Sequence, residues 1–178
     1  MTTTFAPLIP APSHNQTAQQ LCIFLEQEGF KVELDADGDL VFRCEGLVYL
    51  LCLDEHDPQW GRLMVPFVWE IASEQEQVDV ARAMDFVNRR SKLVKAYSIH
   101  ERVHLSVQLV LELPSSWHVA VLRCIRALAE ARTMLINAIR LPELVSLDLA
   151  KLAAAPPMPA EDDRQASIDR PSPAATTH

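Results

Sequence analysis

Apolar residues along this chain alternate between the 3.6-residue period of a helix and the two-residue period of a strand, and the changes of period outline its elements. Ala18, Leu21, Cys22 and Leu25 share one helical face. Asn15 or Thr17 can cap that helix, and Gly29 supplies a left-handed stop after Glu28. Residues 30–35 and 40–45 then read as a hairpin around Ala36-Asp37-Gly38-Asp39. Residues 47–53 are apolar at both parities, as in a central strand covered on both faces. A polar turn, Asp54-Glu55-His56-Asp57-Pro58, closes it. The next apolar run, 63–71, contains Pro66, which removes a ladder donor and predicts an edge strand or an irregular extended segment.

Ser73 followed by Glu76 is a capping box, and Glu74 and Glu76 suit the positive end of a helix dipole. The helix that follows places Val80, Ala83, Met84 and Val87 inward and ends near Arg90. Residues 93–99 and 103–111 form a second hairpin, turning at His100-Glu101-Arg102. In its second strand Val103, Leu105, Val107, Leu109 and Leu111 alternate with His104, Ser106 and Gln108, predicting one buried and one wetter face. Pro114 ends it, Ser115 or Ser116 caps a last helix to Arg140, and a short helical turn follows from Pro142 to Lys151. The order is helix, three strands, helix, two strands, long helix, with the run at 63–71 as a marginal element. Such segregated helices and hairpins predict an α+β fold with an antiparallel sheet of about five strands and flanking helices.

Composition narrows the class. Pro7, Pro10 and Pro12 punctuate the start, and the stretch from 151 on is mostly Ala, Pro, Ser, Thr and Asp. Residues 1–14 and 151–178 are therefore expected to be disordered tails around a domain at 15–150, because they bury too little apolar surface to offset their ordering entropy. A net charge of −8 argues against nucleic acid as a partner, which selects clustered Lys and Arg. No apolar run reaches ~18 residues, so no membrane span is expected, and the N-terminus lacks the pattern of a secretory signal. The expected location is the cytoplasm. There Cys22, Cys44, Cys52 and Cys124, with no C-x-x-C spacing, read as reduced, buried small hydrophobes.

The sites one looks for first lack their parts. The run from Asp35 to Asp39 suggests a calcium loop, but Gly38 and Glu45 miss the loop positions that chemistry needs. Asp54, Glu55, His56 and Asp57 offer ligand atoms without a second His or Cys at ligand spacing. His14, His100, His104 and His118 are scattered, and four glycines cannot build a phosphate-cradling loop. No catalytic, cofactor-binding or metal residues are assigned, no cofactor is expected, and the chain is read as a non-enzyme. The alternative is a small-molecule or metal sensor built on the 54–60 turn.

On a helical wheel the last helix gathers His118, Arg123, Arg126, Glu130, Thr133, Asn137 and Arg140 in one polar sector. The remaining arc, roughly 220°, is about twice what one core needs. Arg132 falls inside it beside Leu128 and Leu135. A buried guanidinium there needs a carboxylate, a carbonyl or a boundary between two packed surfaces. The expectation is a homodimer through Leu128, Arg132, Leu135 and Ile139, or an extended or helical segment of another protein held there. Trp60, Phe67 and Trp69 read first as a core face; Trp60 and Trp69 join the interface candidates if the 63–71 run is an exposed edge that accepts a partner strand.

From about Thr17 to Asn137 the element order resembles that of the YbjN family of bacterial proteins. The likeness includes Gly29-Phe30, the Asp37-Gly38-Asp39-Leu40 hairpin, the turn from Asp54 to Trp60, and two strands before a long last helix. That family is similar in fold to type III secretion chaperones. The resemblance implies a small acidic protein, commonly dimeric, without enzymatic activity, acting as a chaperone-like or regulatory module. The Pro/Ala-rich C-terminal stretch departs from a secretion chaperone.

Overall fold

The computed structural model describes residues 14–54, 56, 57, 59–111 and 114–154. The expected disorder of the two ends falls outside these residues up to 13 and from 155. Helix α1 (His14–Gln27) starts ahead of both residues expected to cap it. Its end follows from Gly29 at φ 89°: the Gly29 amide donates to Glu26 O and the Phe30 amide to Leu25 O, both at 3.0 Å, the paired bonds of a Schellman stop.

Strands β1 (Val32–Leu34) and β2 (Leu40–Cys44) form the first hairpin. In its turn the Asp35 carboxylate accepts from the amides of Asp37 and Asp39 at 3.0 and 2.9 Å, so the would-be calcium ligand satisfies backbone donors. Glu45 and Gly46, at φ 49° and 78°, make the two-residue connection to β3 (Leu47–Leu53), the twist-compatible turn that needs two positive φ angles. Strand β4 (Trp60–Glu70) leads to helix α2 (Glu74–Arg90), then β5 (Lys95–Ile99), β6 (Arg102–Val110), helix α3 (Pro114–Arg140) and helix α4 (Pro142–Ala153). Helix α4 thus enters the stretch read as tail from 151.

The sheet is antiparallel with six strands in the order β1-β2-β3-β4-β6-β5, one more than the sequence predicts. The addition is β4, and it corrects the edge-strand reading: β4 lies in the interior, paired with β3 and β6. Proline is tolerated because the register jumps between the Val65–Leu105 pair and the Trp69–Val103 pair. Four steps along β4 answer two along β6, and Pro66 sits in that bulge, where it breaks no ladder pair.

One face of the sheet carries Leu40, Phe42, Tyr49, Leu51, Leu63, Val65, Val103, Leu105, Val107 and Leu109. Helices α1, α2 and α3 close over it with Leu21 and Leu25, with Val80, Ala83 and Val87, and with Val121, Leu128 and Leu135, all in one buried cluster. Tyr49, stacked on Phe42, donates from its hydroxyl to Ile125 O at 3.4 Å, and burial pushes that hydroxyl's pKa up to about 12. The opposite face is not the wet surface expected for β6, because His104 and Ser106 are buried. The chain divides into a unit ending at Val145, which holds the sheet and α1 to α3, and a smaller one from Ser146, in which Leu147 and Leu149 of α4 are exposed.

Candidate binding face of the sheet

Strand alternation sends every second side chain away from the helices, and the register fixes which of them meet. Val41 of β2 lies opposite Leu50 of β3, Leu50 opposite Met64 of β4, and Met64 opposite Ser106 of β6, giving one row across four strands. A second row runs Cys52, Arg62, Gln108, and a third places Trp60 beside Val110. On β5, Lys95, Tyr97 and Ile99 pair with Ser106, His104 and Arg102. None of Val41, Val48, Leu50, Cys52 and Met64 belongs to the core cluster beneath the helices. Val41, Val48 and Leu50 are half-buried, while Trp60, Phe67, Ile99 and Val110 are exposed.

The β4 bulge builds the most unusual feature of this face. Phe67 has φ 54°, a left-handed backbone that bulky side chains rarely adopt, and is 61% exposed. Its ring stands edge-on to His104 at 5.2 Å, and the Arg102 guanidinium lies over it at 4.9 Å. His104 in turn stacks on Tyr97 at 5.7 Å. The His104 Nδ1 is buried without a hydrogen-bond partner, and burial first, then the nearby Arg102 charge, lower the imidazole pKa. The ring is therefore a neutral spacer held between two aromatic rings.

At the other end, Cys52, Asp54, Trp60, Arg62 and Gln108 line a cleft of about 290 Å³ beside the turn considered for a sensor. The turn's carboxylates serve the backbone: Asp54 accepts from the His56 and Asp57 amides at 2.8 and 3.1 Å, and Asp57 from the Gln59 amide at 3.2 Å. Burial, then a hydrogen bond with Asp39, push the Cys52 thiol up to about 12. It stays protonated and is a poor nucleophile. Among the described residues no three His, Cys, Asp or Glu side chains converge as a metal site, and no helix is long and apolar enough to cross a membrane.

The residues expected to form an interface on α3 scatter. Leu128 and Leu135 are 0% exposed within the chain's own core, which corrects their assignment to a partner surface. The wide apolar arc is used up internally: α3 packs on β4, β6 and α2, and its Trp117 meets Phe24 of α1 edge-on at 6.5 Å. Arg132 and Ile139 are half-buried, Arg132 close enough to Tyr49 for its charge to act on that hydroxyl. Trp69 packs against the core and donates its indole N–H to Glu76 Oε1 at 2.8 Å, so of the six candidates only Trp60 lies exposed on the open face. Phe67, Tyr97, His104 and Arg102 were missed as a group. The available signal was an aromatic residue directly after a proline inside an apolar run, where alternation must break.

Fold and face together define an α+β protein with helices stacked on one side of an antiparallel sheet and an apolar, cation-bearing surface on the other. No family model matches the chain, and no curated protein matches it. Among solved structures it is similar to YbjN of E. coli, a protein put forward as a transcription regulator. The TM-score is 0.50 at 15% identity, over 71% of this chain and 91% of that one. The likeness is one of fold.

Proposed function

We propose that this protein is a non-enzymatic protein-binding module, regulatory or chaperone-like, whose partner lies on the outer face of the sheet rather than on α3. The observation that carries this reading is Phe67, which combines exposure with a left-handed backbone. Each is unfavourable for the isolated chain, and the side chain is nonetheless held in place by Arg102 and His104. Exposed aromatics seated on rigid supports are the residues that dominate protein interfaces. The fold likeness to YbjN supports a regulatory role in the same direction, and the resemblance to secretion chaperones supplies the chaperone-like variant of it.

Replacing Phe67 by Asp tests the reading. The wild-type chain is expected to recover a protein partner from its source cell, and Phe67→Asp to lose at least 90% of it while keeping the wild-type circular-dichroism spectrum. Full recovery by Phe67→Asp, or an equal loss on Val119→Asp at an exposed apolar position of α3, would contradict it.

A further inference from the structure

We infer that strand β5 is a pairing edge for a second copy of this chain, held shut by the side chains of Asn88 and Ser91. This edge is distinct from the outer face of the sheet, and the pairing does not depend on what that face binds.

Hydrogen bonds make the closure. Strand β5 ends the sheet, with β6 on one side and an open edge on the other. In an antiparallel pair every second residue turns both its N–H and its C=O away from the neighbouring strand. A free row of such groups is a template for another chain. On β5 the outward residues are Ala96 and Ser98, and Val94 just ahead of the strand continues the series. The Ala96 amide donates to Asn88 Oδ1 at 2.7 Å, and Asn88 Nδ2 donates to the Ala96 carbonyl at 3.0 Å. The Val94 amide donates to Ser91 Oγ at 3.0 Å. Asn88 lies in the last turn of α2 and Ser91 is the residue that caps it. The end of one helix thus supplies bonds that an added strand would otherwise make.

The row behind that closure is self-complementary. Two β5 strands set antiparallel about Ala96 place Ala96 opposite its own copy, Val94 opposite Ser98 and Ser98 opposite Val94, so that every outward group meets a partner. In the same register Leu93 faces Ile99 of the second copy, and these side chains are 54% and 50% exposed. Lys95 faces Tyr97, a cation beside an aromatic ring, and the two lysines at 95 do not oppose each other. The neighbouring register, centred on Tyr97, sets Lys95 against Ile99 and Leu93 against Glu101, leaving both apolar residues beside charge. An unrelated strand matches the backbone groups alone, whereas a second copy matches the backbone and the apolar ends together.

The test compares the full wild-type chain with Asn88→Ala/Ser91→Ala by analytical ultracentrifugation and amide hydrogen exchange. The double variant is expected at about twice the wild-type mass, with its Ser98 amide exchanging about tenfold more slowly than in the wild type. Adding Ser98→Pro removes an outward N–H that an edge strand can spare, and should return the wild-type mass. An unchanged mass for a folded double variant would overturn the pairing edge and leave Asn88 and Ser91 as plain ties between α2 and β5. A doubled mass that Ser98→Pro leaves in place would put the contact on another surface and overturn it equally. Should the double variant fail to fold, Asn88→Ser keeps the Ser91 bond and is too short to hold both groups of Ala96. A shift of that variant toward the doubled mass supports the edge, and the wild-type mass at every concentration contradicts it.

Discussion

At Phe67 the balance of local terms decides what the residue is for. A left-handed backbone costs a bulky L-residue roughly 1–2 kcal/mol, while a cation–π contact at an exposed site returns about 0.5–1 kcal/mol. The Arg102 contact therefore does not repay the conformation, and Asp, which tolerates left-handed φ better, leaves the fold intact. His104, faced by Phe67, Tyr97 and Arg102, gives a stability test of the same cluster. Its folded pKa lies below the ordinary value of about 6.5, so below that pH the unfolded chain binds a proton that the folded chain resists. Stability is complete above the unfolded pKa and falls as pH drops through it toward the folded one. Urea unfolding at pH 7.5 and 5.0 should show a larger loss for the wild type than for His104→Phe; equal losses would mean that the imidazole titrates freely. Little of this was legible in the sequence, since alternation marked His104 as facing water, whereas it is buried with the Phe67 and Tyr97 rings against it.

The elements themselves were far more legible, because their signals are local. Ser73 accepts from the Glu76 amide at 3.2 Å and the Glu76 carboxylate accepts from the Ala72 amide at 2.6 Å, so the capping box opens α2 where its spacing predicts. Gly29 ends α1 for an equally local reason. The errors arose where an element's environment decides its role. Pro66 argued for an edge because a ladder proline is forbidden in the interior, yet a bulge of two extra residues removes the conflict. The broad arc of α3 argued for a partner because one stripe serves one neighbour, yet this helix touches the sheet, α1 and α2 at once. Leu128→Ala should accordingly destabilise the monomer by about 2–5 kcal/mol, the usual cost of truncating a fully buried leucine. Chemical denaturation read at two protein concentrations checks it. A smaller cost that appears only at concentrations where the chain self-associates would restore the interface role.

For the whole molecule, one sheet has two apolar faces that end differently. The first is closed by α1, α2 and α3, and Leu128 and Leu135, expected to bind a partner, are buried in it. The second bears the aromatic cluster at the β4 bulge and a row that runs from half-buried Val41 and Leu50 to buried Met64. A binding role was expected from an excess of apolar surface on α3, which the chain's own sheet and helices cover; which side of a sheet each residue joins was not legible, because strand register and bulges decide it. The most direct measurement places a photo-crosslinking amino acid at Phe67 in one chain and at Val119 in another, and compares the adducts formed in the source cell. The account predicts a discrete protein adduct from position 67 and none from position 119. Adducts from 119 with none from 67 would return the binding surface to the helices and contradict it.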